Sequence, residues 1–263
     1  MQIPGTRDDW THWLAERGRE IVTAIAFSTR LPLARVAAAE TSSADLAAAI
    51  WALPLAGLLV GAVGALVYAV AHRLGVPAWP AAVLTIAATL ALTGCLHEDG
   101  LADTADGFGG GATRERKLEI MRDSRIGAYG VYALVVSILI RAGVLASLAD
   151  PGWVAWALIA AHGAGRATLP VLMFLVPPAR ADGLSVSAGQ PPREQAIAGA
   201  VLGVLILFVC LGFEPALIAA VLLAVSVALV ARLSTAQIGG QTGDVLGALE
   251  QVSEILVLLV AAA

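Results

Sequence analysis

Four carboxylates fall within nine residues at the end of an apolar run: Glu98, Asp99, Asp103 and Asp106. In a helix, Asp99, Asp103 and Asp106 follow an i, i+4, i+7 spacing and project from one face. Like charges stacked in this way repel. They also border a low-dielectric run, where ionised groups are costly. A cation must offset that cost, and hard carboxylate oxygens suit Mg2+, which commonly bridges carboxylates to substrate phosphates. The spacing therefore predicts phosphate-group chemistry at a magnesium site. Asp99, Asp103 and Asp106 are the expected ligands, and Glu98 on a neighbouring face is a further candidate. The competing reading is a solvated acidic loop. Against it stand the small residues Gly100, Ala102, Ala105 and Gly107, which would let a bulky ligand approach the backbone.

Basic residues follow. Arg122 and Arg125 flank Asp123 just before the next apolar run and suit phosphate oxygens. Arg114, Arg116 and Lys117 read instead as a helix surface, with Glu115 and Glu119 as local partners. A third polar stretch, 179–184, holds Arg180 and Asp182. A fourth, 239–247, is glycine-rich and leads into a helix, so its backbone N–H groups could face an anion near Gly240, Thr242 and Gly243. It is not a Walker motif, because no Lys-Ser/Thr follows. Asp244 there could be a metal ligand, a base or simply the helix N-cap. Arg166 lies mid-run and is either functional or paired inside the bundle. Arg141, nearer a boundary, reads as a snorkelling cation. His97 reads as an interfacial histidine, and Cys95 and Cys210 as small buried hydrophobes.

The elements that position these residues follow from composition. Of 263 residues, 59% are hydrophobic and 14% charged, with mean hydropathy +0.83. A soluble domain carries about 25% charged residues, so the expected solvent is a lipid bilayer. Apolar runs near 46–71, 78–96, 127–149, 153–176, 196–212 and 215–233 approach the roughly 20 residues needed to cross it. A shorter run at 248–263, with Glu250 and Glu254 near its start, would make a seventh. The fold class is all-α: a polytopic transmembrane bundle of six to seven spans in a single integral membrane domain. A cytoplasmic or interfacial segment, 1–45, precedes the bundle, 46–263. Residues 10–33 mix Trp10, Trp13 and Leu14 with Arg17, Arg19 and Glu20, as in an interfacial amphipathic helix ending near Pro32. No cleavable signal peptide is expected, because residues 1–20 are polar.

Thirteen of the 16 Lys and Arg fall on the N-terminal tail and the connections 97–126, 177–195 and 234–247, counting Arg232 at the rim. By the positive-inside rule these face the cytoplasm, which puts every chemically rich segment on one side. A net charge of −4 gives no reason to expect nucleic acid. Homo-oligomerisation is left open.

The run LHEDGLADTADGFGGG (96–111), followed by RERKLEIMRDSRIGAYG (114–130), resembles the cobalamin synthase family, the adenosylcobinamide-GDP ribazoletransferases. Phe27 to Pro32 is similar to that family's FxTRxP segment, 179–184 to its ARxDGL loop and 239–244 to its GGxTGD segment. Ala181 stands where a proline is expected. The resemblance covers about 20–260. It implies transfer of the adenosylcobinamide phosphate group from adenosylcobinamide-GDP to α-ribazole or its 5′-phosphate. The products would be adenosylcobalamin, or its 5′-phosphate, and GMP, in the last steps of cobalamin nucleotide-loop assembly. That makes the chain a Mg2+-dependent transferase for substituted phosphate groups in the bacterial cytoplasmic (inner) membrane. Carried onto this sequence, Asp99, Asp103, Asp106 and Asp244 become catalytic. Arg30, Gly107, Arg122, Asp123, Arg125, Arg180, Asp182, Gly240, Thr242 and Gly243 become substrate contacts.

Two other classes compete. Asp103 to Gly107 echoes the opening of the CDP-alcohol phosphotransferase motif, but its later acids are absent at the expected spacing. A transporter would string polar residues across the bilayer midplane, whereas here the acids cluster at one end of the runs.

Overall fold

Inside lipid a backbone must satisfy its own hydrogen bonds, which leaves helices or closed barrels. The computed structural model, which describes residues 7–33 and 43–263, takes the helical solution, and its bridging is limited to one isolated pair, Pro178 with Gln241. Helix α1 (Arg7–Ser28) is followed by α2 (Ser43–Ala49), which continues through a 3-10 turn into α3 (Leu53–Arg73). Then come α4 (Ala78–Thr93), α5 (Leu96–Gly110), α6 (Arg114–Ile120), α7 (Ala128–Leu148) and α8 (Pro151–Leu175). The chain ends with α9 (Leu184–Ala188), α10 (Arg193–Leu211), α11 (Phe213–Ile238) and α12 (Gly243–Ala261).

Five stretches are long and apolar enough to cross a membrane: Leu46–Arg73, α7, α8, α10 and α11. The pair α4 and α5, bent by 92°, makes a sixth if counted as one broken span. The chain is thus a multi-pass membrane protein. The boundaries expected from hydropathy agree with these helices to within five residues. The shifts of five are at the end of α11, at Ile238 against 233, and at the last run, where α12 starts at Gly243 against 248. That helix is not among the apolar crossing candidates. Every residue from Val245 to Gln251 is buried, so its acids meet protein and not lipid.

Helix α8 is the centre of the bundle. From Ala160 to Pro170 every residue is buried. The run is built of small residues, which lets backbones approach closely. A Cβ added to Gly61 of α3 would lie 2.7 Å from Ile159 Cα, and one on Gly199 of α10 would lie 2.9 Å from Pro170 Cγ. Val135 and Leu139 of α7 and Val221, Val225 and Leu229 of α11 are exposed, as lipid-facing residues should be.

Helix α1 ends at Ser28, before Pro32, and packs on α2 and α3. It is amphipathic in a specific way. Trp10 and Leu14 are exposed, while Glu20 is buried and accepts the Trp51 indole N–H at 2.6 Å.

Candidate active site

The acidic helix begins at an elbow. Gly94 (φ 66°) ends α4 in the left-handed region, and Cys95 (φ 59°) repeats that conformation before α5 starts. Two consecutive left-handed residues turn the chain sharply where a straight span was expected. Arg30 lies across the elbow: its guanidinium fills the space a side chain on Gly94 would need, and its backbone N–H donates to Leu92 O at 2.7 Å. The substrate contact expected at Arg30 is therefore placed beside the start of the acidic helix.

Helices α5 and α12 then cross at glycines. A Cβ on Gly100 would stand 2.8 Å from Asp244 O, and one on Gly247 3.0 Å from His97 O. This crossing brings Asp244 to the acidic array from more than a hundred residues away. It also revises the role of the small residues. Gly100 makes room for the α12 backbone and Gly107 for the Met121 side chain, and Ala102 is buried. The two glycines serve helix packing rather than the approach of a ligand, while Ala102 lines the cavity described below.

The carboxylates divide among three tasks. Asp99 is exposed and Asp103 partly buried, and both line a cavity of about 510 Å3. Asp103 is repelled by Asp99, Asp244 and Asp106, and Arg180 is the cation acting on it. Asp106, buried, turns to α7 instead: its two oxygens accept the N–H groups of Gly127 at 2.7 Å and Gly130 at 2.9 Å. It caps that helix, so a metal would have to share oxygens already engaged. Glu98 points into the bundle, where Oε1 meets Arg141 Nη1 at 3.1 Å. It is neutralised by protein, which removes the reason to expect it as a ligand.

The loops close over one end of the bundle. Gln241 N donates to Pro177 O at 2.9 Å and Ala179 N to Gln241 O at 2.8 Å. The glycine-rich loop thus pairs with its neighbour instead of turning all its N–H groups to an anion, and Gly240 backs directly onto Pro177. Thr242 takes the N-cap of α12, accepting from Val245 N at 3.3 Å, with Gly243 as the first helical residue. That frees Asp244 from capping; its Oδ2 receives Thr242 Oγ1 at 3.1 Å and Arg180 Nη2 at 3.4 Å. Arg122 pairs with Asp182, and Arg122 and Asp123 both line the cavity. Arg125 does not line it. It is highly exposed and forks onto Asp123, with Nη2 to Oδ2 at 2.6 Å. That hydrogen bond holds the Asp123 carboxyl down at about 2.

Beneath the aspartates lies a buried ionic core. Arg141 Nη1 bridges Glu98 and Glu254 at 3.1 and 3.2 Å, and Arg166 Nη1 meets Glu250 at 2.7 Å. His97 Nδ1 stands 3.2 Å from Glu250 and His162 Nδ1 3.2 Å from Glu254. Gln251 donates to Glu250 at 3.0 Å and accepts from Ser137 at 3.2 Å. Arg141 is 1% exposed, so it does not snorkel, and Arg166 takes the structural pairing. His97 is neither interfacial nor exposed.

The family described as Cobalamin-5-phosphate synthase matches residues 20–262. The chain belongs to this family. Similar proteins named adenosylcobinamide-GDP ribazoletransferase include one from Mesorhizobium japonicum, 56% identical over 92% of this chain and 92% of the relative. One from Bradyrhizobium diazoefficiens is 57% identical over 91% of this chain and 92% of its own length. A third, from Brucella ovis, is 39% identical over 91% and 95%. No solved structure matches.

Seen as a cobalamin-5-phosphate synthase family member, the chain holds residues that sequence reading missed. Arg114, expected on a helix surface, staples two loops, with Nε to Ile238 O at 2.8 Å and Nη2 to Ala179 O at 2.9 Å. In sequence Glu250 and Glu254 read only as charges near the start of the last run, and His162 is not singled out. Their ligand atoms lie within 4.8 Å of one another, the one such group among the described residues. Two guanidiniums already compensate it, which argues against a metal there. Asp99, Asp103 and Asp244 do not converge so tightly. Mg2+ keeps several waters and needs only one or two carboxylates beside substrate phosphates. An oxygen-donor set with an excess of negative charge fits that ion.

Proposed function

We propose that this chain transfers the adenosylcobinamide phosphate group from adenosylcobinamide-GDP to α-ribazole or its 5′-phosphate, releasing GMP, with Mg2+ as cofactor. One observation carries the reading: Asp99 and Asp103 share a cavity sized for a small molecule, with the negative charges of Asp99, Asp244 and Asp106 acting on Asp103 against the positive charge of Arg180. Asp99, Asp103 and Asp244 would hold the ion, which polarises phosphoryl oxygens and steadies a leaving phosphate. The protein's own work is mainly positioning and charge. Arg122, which lines the cavity, and Arg180, paired with Asp244, would take phosphate oxygens, and Arg30 guards the elbow.

A ribose hydroxyl of the acceptor attacks the phosphorus nearer the cobinamide. A new P–O bond forms, the bond to the GMP phosphate breaks, and the hydroxyl proton passes to a carboxylate not engaged by metal. With the 5′-phosphate form as acceptor, as the family's description supports, the attacking oxygen would be a ribose hydroxyl other than the one that carries that phosphate. The charge pattern of the loops supports a cytoplasmic site in the bacterial inner membrane, and exposed Trp10 and Leu14 suit an interface.

The test is direct. Purified protein in lipid, given adenosylcobinamide-GDP, α-ribazole and Mg2+, should yield GMP and the joined corrinoid in equal amounts. Excess EDTA should stop turnover and Mg2+ should restore it. A folded protein that releases no GMP would overturn the activity, and turnover undisturbed by EDTA would overturn the metal.

A further inference from the structure

The cavity beside the aspartates has two unlike walls. Its polar lining includes Glu98, Asp99, Asp103, Arg122 and Asp123; its aliphatic lining includes Leu90 from α4, Ile126 from the loop before α7, and Leu134 and Ile138 from α7. We propose that the aliphatic wall receives the benzimidazole ring of the ribazole acceptor and so sets which base the enzyme accepts. This rests on the transferase reading above.

The chemistry of the two substrates assigns the wall. The diphosphate of the donor belongs with the carboxylates and their cation. Guanine is recognised through hydrogen bonds at its edge, and none of these four side chains offers one. The corrin macrocycle is fringed with amides and is far bulkier than a cavity of about 510 Å3. The dimethylated benzimidazole of ribazole is flat and apolar. It gains by burial against Leu and Ile and has no need of the acids. Such pockets pair a mostly apolar lining with a few placed polar groups. Ile126 supplies an independent sign. It is 53% exposed on a polar loop between Arg125 and Gly127, at the edge of this cavity, and a seated ring would cover it. A base held on the α4 and α7 side also places its ribose between that wall and Asp99 and Asp103, where the reacting hydroxyl has to be.

Steady-state kinetics in lipid test the assignment. Ile126→Ala, and separately the double variant Leu134→Ala with Ile138→Ala, should raise KM for α-ribazole roughly ten-fold for the double change, while KM for adenosylcobinamide-GDP stays put. Ile126 lies on a loop, so its variant should fold even if the helix variant does not. A rise confined to the donor's KM, or no change in either, overturns the subsite while leaving wild-type GMP release, and hence the function, intact. A second measurement uses Cys95, exposed at the same cavity, with buried Cys210 as its control. Alkylation of Cys95 should be slowed by α-ribazole and not by ribose 5-phosphate, which has the sugar but no base. Equal effects of the two compounds would refute the placement of the ring.

Discussion

Two sets of carboxylates leave the same two helices in opposite directions. Glu98 and Asp99 are neighbours on α5, and a helix turns about 100° per residue. The first therefore reaches back to Arg141 in the bundle while still touching the cavity, and the second is exposed to it. On α12, Glu250 and Glu254 are buried while Asp244, in the first turn, is partly exposed and meets Arg180. The buried set has cations of its own, Arg141 and Arg166, supported by His97 and His162. The outer set has fewer: Arg180 is the cation for Asp103 and Asp244, and Arg122, which lines the cavity, is paired with Asp182. An ion pair in a low-dielectric core must be compensated by protein, because nothing else can reach it. A carboxylate group left short of cations at an open cavity can draw one from solution. The difference separates acids that build from acids that act.

Substitutions can break that contrast. The largest effect should come from Asp103→Asn, which removes the carboxylate at the centre of the uncompensated set. GMP release should fall about 10²–10³-fold, while size-exclusion profile and helix content stay as in the parent. Activity near normal would show that the cavity acids do not act.

Next comes the core. Arg166→Met leaves Glu250 buried without its guanidinium and should destabilise the fold by about 3–5 kcal/mol, read as a fall in thermal midpoint in detergent. Adding Glu250→Gln should return part of that loss, since the pair is coupled. A core variant that melts like the parent but has lost turnover would blur the two roles.

Arg180→Ala should act in two directions. KM for adenosylcobinamide-GDP should rise by about ten-fold for loss of a charge-assisted phosphate contact. The Mg2+ concentration for half-maximal rate should fall, because Asp244 loses its protein cation. If both move the same way, Arg180 does not balance the acids. The smallest effect belongs to Arg125→Ala, expected to change the rate by less than about two-fold, since exposed ion pairs contribute little and Arg125 pairs with Asp123 without lining the cavity itself.

Much of this was legible before any coordinates. The apolar runs fixed the crossing helices closely, because a span must be long and apolar wherever it sits. The i, i+4, i+7 spacing correctly put Asp99 and Asp103 on the cavity side. It could not say that Asp106 would turn to Gly127 and Gly130, since those N–H groups lie 21 and 24 residues further on. Gly100 carries no sign of whether a ligand or a helix will fill the space it leaves. Arg141 looked like a snorkelling cation because its partners, Glu98 and Glu254, are remote in the chain.

The sequence alone determined that this is a lipid-embedded helical bundle with a stack of acids at the end of one run, because hydropathy and helical periodicity are local properties. Only the tertiary structure decided which acids are spent on the protein itself. That choice depends on which helices cross, and the crossings of α5 with α12 and of α3 with α8 are set by glycines meeting backbone across the bundle. Charge compensation is a property of neighbours in space, so a list of residues shows the charges and the fold shows which of them remain unanswered.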